Sequence, residues 1–182
     1  MVAIRVHEFI SLDGVIDTPS WTAEYAFDPK MGEAIGRCMG SCDGILLGRN
    51  TYEMFGPAWS ARTAEEDPGA PFMNGTTKYV VSSTLTQTSW QNSEIIGGYD
   101  AKRIQRLKEE AAEGLYVSGS GTLVRALLAD ELVDELHLFV FPLSRSAGPR
   151  LFAEGLPPTK WTRTNVETYD NGAVYLQLTL AS

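Results

Sequence analysis

The segment DGILLGRNTYEMFG, Asp43 to Gly56, sets a short apolar run, Ile45-Leu46-Leu47, directly against Gly48 and Arg49. From Asn50 onward the chain reads as the first turn of a helix. A helix start leaves its first backbone N–H groups without intrahelical partners. A glycine there lets a ligand come close to that backbone. Arg49 adds a guanidinium able to grip an oxyanion through two donors, and Thr51 adds a hydroxyl. The junction is thus equipped for a phosphate, although a plain helix start with a surface arginine has the same letters.

The residues around it describe a sheet that alternates with helices. Val2 to Ile10 alternates as a first strand, with Val2, Ile4 and Val6 on one face. From Lys30 to Cys42 the apolar residues Met31, Ala34, Ile35, Cys38, Met39 and Cys42 recur at helical spacing. Gly44–Leu47 reads as the second strand and Thr51–Phe55 as a short helix. KYVVSS and SEIIG read as two more strands. Asp100 caps a helix running to Ala112, with Gly114 as its terminator. LYVSG is a fifth strand, GTLVRALLA a fourth helix and DELHLFVFP a sixth strand. Trp161–Tyr169 and Ala173–Leu180 form a hairpin around Asp170-Asn171-Gly172. The expectation is one α/β domain over residues 1–182: a mixed, mostly parallel sheet of eight strands, four helices on both faces, and a C-terminal hairpin. The stretch Gly56–Thr77, with three prolines and Glu65-Glu66-Asp67, reads as a long loop on the rim of an active site.

In such a sheet ligands sit where strands end and helices begin. Two further junctions share the features of the first. Ser118-Gly119-Ser120-Gly121-Thr122-Leu123 joins the fifth strand to a helix, with glycines flanking Ser120. Ser82, Ser83 and Thr84 leave the third strand as a run of hydroxyls. Either one alone reads equally well as a tight turn. Ser11-Leu12-Asp13-Gly14 places an acid directly after the first strand, where Asp-Gly also reads as a turn.

Composition limits the alternatives. With 15 Lys and Arg against 23 Asp and Glu, net charge -8, the chain lacks the basic surface that nucleic acid requires. It shows no apolar run of membrane-spanning length and no signal-peptide core, so a cytoplasmic protein is expected. Cys38 and Cys42 lie one helical turn apart and are expected in the core; with only His7 and His137 elsewhere no metal set is expected. Both histidines fall mid-strand, which favours structural roles. Neither a Walker A run nor a G-x-S-x-G elbow is present.

The order SLDG, DGILLGRNTYE, KYVVSSTL, VSGSGTL, LVDELHLFVFP and RLF resembles the dihydrofolate-reductase-like superfamily. Within it the chain is most similar to the branch that holds the C-terminal reductase domain of bifunctional riboflavin biosynthesis enzymes and its stand-alone relatives. The resemblance implies NADPH as hydride donor. Gly48, Arg49 and Thr51 would lie along the diphosphate and adenosine 2′-phosphate, and Ser82, Ser83 and Thr84 at the adenosine ribose phosphate. Gly119, Ser120, Gly121, Thr122 and Leu123 would meet the diphosphate and nicotinamide. Ser11 and Asp13 would border nicotinamide and substrate, with Asp13 or water handling the proton. A small-molecule substrate is implied, and a homodimer is expected, with Phe139 and Phe141 as outward apolar surface.

Two departures bear on the substrate. The helix face that carries an acid in dihydrofolate reductases has Met31, Ala34 and Ile35 here. The Glu-Gly-Gly of the riboflavin-pathway enzymes is Ser118-Gly119-Ser120. The expectation is therefore reduction of a small oxidised heterocycle. The alternatives are a 5-amino-6-(5-phosphoribosylamino)uracil reductase, with Arg145, Arg150 and Lys78 as phosphate ligands, and a non-catalytic NADP(H)-binding protein.

Overall fold

A computed structural model describes residues 2–16 and 19–181. Its eight strands are β1 (Ala3–Ser11), β2 (Gly44–Gly48), β3 (Thr77–Val81), β4 (Ser93–Gly97), β5 (Gly114–Val117), β6 (Glu135–Phe141), β7 (Trp161–Thr168) and β8 (Val174–Leu180). They form one sheet in the order β4-β3-β2-β5-β1-β6-β8-β7. Every pairing from β4 across to β6 is parallel; β8 runs antiparallel to β6 and β7. The helices are a 3₁₀ helix (Pro19–Glu24), α1 (Pro29–Met39), α2 (Arg49–Trp59), α3 (Ala70–Gly75), α4 (Ala101–Glu110) and α5 (Gly121–Ala129).

Alternation along each strand divides the core into two layers. On one face α4 and α5 bury Ile104, Leu123, Val124 and Leu127 against Ile4, Val6, Leu46, Leu115 and Leu136. On the other, α1, α2 and α3 bury Cys38, Tyr52 and Met73 against Ile45, Leu47, Val80 and Tyr116. The aromatic side chains of Phe139, Phe141, Tyr169 and Tyr175 pack there beneath Trp21, Met31 and Ala34. Cys38 and Cys42 are buried and unbridged.

The fold matches the sequence expectation in class and strand order along the chain, and corrects it in five places. The segment Gly56–Thr77 is not a bare loop: α2 continues through Pro57 to Trp59, and α3 follows. The 11 residues of α2 carry the chain about 16 Å away from Arg49, and α3 then feeds the N-terminal end of β3. The 3₁₀ helix was also unforeseen, so six helical segments among the described residues replace the four expected. Gly114 does not terminate α4, which ends at Glu110. It opens β5, where a Cβ would lie 2.5 Å from the Ala3 carbonyl oxygen.

Phe139 and Phe141 are 1% and 2% exposed, covered by α1 and the 3₁₀ helix. They present no outward surface, and the homodimer expectation loses the patch on which it rested. Lys78, expected as a phosphate ligand, is fully buried. Its Nζ donates to the carbonyl oxygens of Met73 and Thr76, 2.8 Å each, closing the C-terminal end of α3.

Candidate functional site

The C-terminal ends of β2, β5 and β1 lie side by side because their strands are parallel, and each ends in a residue the sequence singles out. At the β2 end Gly48 is the N-cap of α2 and makes no side-chain capping bond; at the β5 end Ser120 caps α5 and likewise makes none. Both helix starts therefore keep backbone N–H groups free for an anion.

The two junctions touch. The Gly48 N–H donates to the Gly119 carbonyl at 3.4 Å. A Cβ on Gly48 would sit 1.9 Å from Ser120 Oγ, and one on Gly119 would sit 2.7 Å from Thr51 Oγ1. Gly119 has φ +101, and the Gly119–Ser120 peptide is cis. Only glycine suits either position: the first for space, the second for space and backbone conformation.

Arg49 extends from the α2 start over the β3 end. Its Nη1 donates to Thr84 Oγ1 at 3.2 Å, and its Nε lies 3.9 Å from the Glu53 carboxylate one turn on. The strand stops at Val81, so the three hydroxyls occupy a turn. Ser82 Oγ accepts from the backbone N–H groups of Thr84 and Leu85, at 3.2 and 2.9 Å, and braces that turn from inside. Ser83 and Thr84 are exposed beside Arg49. At the start of α5, Thr122 is exposed, whereas the Leu123 side chain belongs to the core and leaves only its N–H for a ligand.

At the β1 end Ser11 Oγ donates to Asp13 Oδ1 at 2.6 Å. The same carboxylate accepts from the backbone N–H groups of Arg145 and Ser146, at 2.9 and 2.7 Å. These bonds hold the Asp13 carboxyl well below the usual carboxylate range, so it stays ionised. It ties the turn after β1 to the loop after β6. Arg150 Nε donates to the Asp13 carbonyl, 2.9 Å, from the same loop.

Replacing Asp13 with alanine is expected to speed hydrogen exchange at the Arg145 and Ser146 amides while leaving that of the central strands unchanged. Unchanged exchange at those two amides would show that the loop is held by something else.

Beside this row lies a cavity of about 240 Å³ lined by Phe9, Thr22, Ala23, Tyr25, Ala26, Phe27, Met31, Phe141 and Asn171. Strand register places it: Ser11 pairs with Phe141, and Phe9 lies two residues back on the same face. Met31 contributes to its wall, so the carboxyl that dihydrofolate reductases carry on the first helix has no counterpart there. Deeper on the same face His7 Nδ1 and the Tyr116 hydroxyl are 2.6 Å apart, and Tyr116 also bonds Ser118 at the β5 end. Burial pushes His7 down to about 3 and the Tyr116 hydroxyl up, so both are neutral at ordinary pH. His137, its neighbour in register, bonds Tyr175 through Nδ1 at 2.8 Å.

Sequence reasoning located the junctions but neither this cavity nor the His7–Tyr116 pair. Phe9, Tyr25, Phe141 and Asn171 come from four separate segments. The only local signal was that Phe9 and Ser11 share a face.

Comparison with known proteins agrees with the topology. Curated relatives include the uncharacterized protein YyaP of Bacillus subtilis (strain 168), 25% identical over 92% of this chain and 89% of its own length. A crystallised protein of Shewanella sp. PV-4 is 21% identical with a TM-score of 0.79, covering all of both chains. Dihydrofolate reductase from Enterococcus faecalis, complexed with NADP(H), superimposes with a TM-score of 0.64 at 14% identity, over 99% of this chain and 97% of its own. RibD of Acinetobacter baumannii does so with a TM-score of 0.69 at 15% identity, this chain spanning 59% of its length. Residues 2–175 match the RibD C-terminal domain as a family, and the chain belongs to that family.

Proposed function

We propose that this protein is an NADPH-dependent reductase of a small oxidised ring compound. The observation that carries the reading is the meeting of two helix starts without side-chain caps, at Gly48 and Ser120, in a cradle where a Cβ on Gly48 or Gly119 would collide, with Arg49 beside it. The residues fit a dinucleotide. The N–H groups at the starts of α2 and α5 would hold the diphosphate. Arg49, with Ser83 and Thr84, would hold the extra phosphate on the adenosine ribose that separates NADPH from NADH. Ser11, at the end of β1, and Ser118, just past the end of neighbouring β5, would border the nicotinamide. When bound, NADPH supplies a hydride to a carbon of the substrate.

The chain's own contribution to such chemistry is positioning. Among the described residues the site presents no carboxylic acid poised to donate a proton. Asp13 stays ionised and fixes the loop after β6, His7 is neutral, and the substrate proton comes from water.

Titration with NADPH and, separately, NADH tests the reading, with Arg49→Ala run alongside. NADPH is expected to bind more tightly than NADH, and the variant to lose about tenfold in NADPH affinity, the worth of one charge-assisted contact, with NADH unchanged. Equal weakening of both cofactors would move Arg49 away from the 2′-phosphate. Binding of neither would end the reductase reading.

A further inference from the structure

The cavity beside the cofactor cradle has an interior with almost no spare polarity. Its walls are Phe9, Tyr25, Phe27, Met31 and Phe141, with Tyr25 and Phe9 packed on the Phe141 ring at 5.2 and 5.8 Å between centroids. Besides Tyr25, Thr22 and Asn171 are the polar lining residues among those described, and both are engaged elsewhere. Thr22 Oγ1 donates to the Pro19 carbonyl at 2.5 Å. Asn171 donates through Nδ2 to the Ala26 carbonyl at 2.9 Å and accepts through Oδ1 from the Ala173 N–H at 3.0 Å. The Tyr25 hydroxyl is the lining group without a partner among the described residues.

Carboxylates adjoin the lining residues along the chain: Glu24 lies between Ala23 and Tyr25, Asp28 follows Phe27, and Asp170 precedes Asn171. The last two acids meet where the Asp170 N–H donates to Asp28 Oδ2 at 3.2 Å. Against these three, Lys30 is the one cation adjoining the lining among the described residues. In the loop after β6, Arg150 turns its Nε onto the Asp13 carbonyl.

We propose that this cavity binds a neutral, flat substrate of one or two fused rings, carrying a conjugated carbonyl group and no phosphate. The inference rests on the reductase reading for its chemistry and on the cavity alone for its ligand. Size supports it: a dry cavity of about 150 Å³ takes a benzene ring, and drug-sized ligands fill about 300–1,000 Å³. The 240 Å³ here lies between.

Charge supports it equally. An ionised group inside would meet no charged lining residue among the described residues. The Tyr25 hydroxyl is free to donate to a ring carbonyl.

Position agrees with both. The cavity starts at β1 and β6, and β5, which ends at Val117 beside Ser118, is the strand on the other side of β1. With strands about 4.8 Å apart, a ring in the cavity and a nicotinamide at the β5 end would be neighbours. Reduction of such a ring takes one hydride from NADPH at the ring carbon conjugated to the carbonyl. The displaced electron pair moves to the carbonyl oxygen, which takes one proton from water, and NADP⁺ is released.

Calorimetric binding of 1,4-naphthoquinone and of its 2-sulfonate, without cofactor, tests the cavity separately from the reductase reading. Wild type is run beside Ala23→Phe, which fills the cavity from an exposed position of the 3₁₀ helix, and Tyr25→Phe. Cys38 and Cys42 are buried, so arylation of surface thiols does not compete. The neutral quinone is expected to bind at least about tenfold more tightly than the sulfonate, the cost of an unpaired charge at an apolar site. Its affinity is expected to fall in both variants, while NADPH binding stays at the wild-type level.

Equal or tighter binding of the sulfonate would overturn the inference, as would binding that survives Ala23→Phe. Failure of the quinone to bind while NADPH binds would overturn it and leave the reductase reading standing. Quinone binding with no NADPH binding would uphold the cavity and remove the reductase.

Discussion

Glu8→Leu is expected to stabilise the protein above neutral pH and to remove the alkaline arm of its stability profile. Glu8 sits on β1 between Val6 and Ile10, on the face covered by α5, with Oε1 lacking any hydrogen-bond partner among the described residues. Burial pushes its carboxyl from 4.5 up to about 8, against the opposing pull of Arg125. Between those values the folded chain holds a proton that the unfolded chain has released, so stability falls as pH rises.

His7, the preceding residue on the opposite face, works the other way. Burial drops it from 6.5 to about 3, so the unfolded chain takes up a proton first and stability falls as pH drops. Each shift is worth about 5 kcal/mol in total. From pH 4.5 to 6.5 the two slopes cancel, leaving a plateau. Beyond it about 2 kcal/mol is lost on the alkaline side by pH 8, and about 2 kcal/mol on the acid side by pH 3.

Leucine fills a similar volume, removes the unpartnered oxygen and carries no proton. The variant should gain stability with pH up to about 6.5 and then stay level. Urea unfolding of both proteins from pH 3 to 8.5 reads this directly. An alkaline arm that persists in the variant would place its origin outside Glu8.

Gly48→Ala should cost both stability and cofactor affinity, and Ser120→Gly should return much of each. The added methyl would lie 1.9 Å from Ser120 Oγ, 3.1 Å from its Cβ and 3.1 Å from its backbone nitrogen. Ser120 must move, and it is the N-cap of α5. Overpacking of this kind costs about 1–3 kcal/mol. The displaced segment is the one proposed to hold the cofactor diphosphate, where each 1.4 kcal/mol is about tenfold in affinity.

Removing the Ser120 side chain takes away the Oγ and Cβ contacts and leaves the tight approach to the nitrogen, so recovery should be partial. A double-mutant cycle scored by melting temperature and by NADPH titration measures the coupling. Additive effects would mean that the two strand ends do not depend on each other. Coupling in stability without coupling in NADPH affinity would uphold the packing and move the cofactor off this junction.

Both variants concern contacts between segments remote in sequence, and that is where sequence and structure divide. The junction at Gly48-Arg49 was legible because its signal is local: an apolar run, a glycine and a helix start adjoin within a few residues. The same holds for the amphipathic α1, the Asp100 cap of α4 and the Asp-Asn-Gly turn of the hairpin. Parallel order followed from alternation of strands with helices, since parallel neighbours need crossovers. α3 and the continuation of α2 through Pro57 were not legible. Their prolines read as loop, yet Trp59, Met73 and the buried Lys78 supply tertiary contacts that outweigh local propensity.

Phe139 and Phe141 show the limit most clearly. Alternation put them on one face of β6, but a strand pattern does not say which face a helix will cover. The strands, three of the helices, the parallel sheet and the places where backbone N–H groups stand free for an anion were readable in the chain, because each depends on neighbouring residues. Folding in three dimensions was needed to bring Gly48 and Gly119 into one cradle and to bury Glu8 and His7 on opposite faces. It was needed as well to close an uncharged aromatic cavity from four distant segments. Those outcomes depend on register between strands far apart in sequence, where a shift of one residue would exchange the two faces.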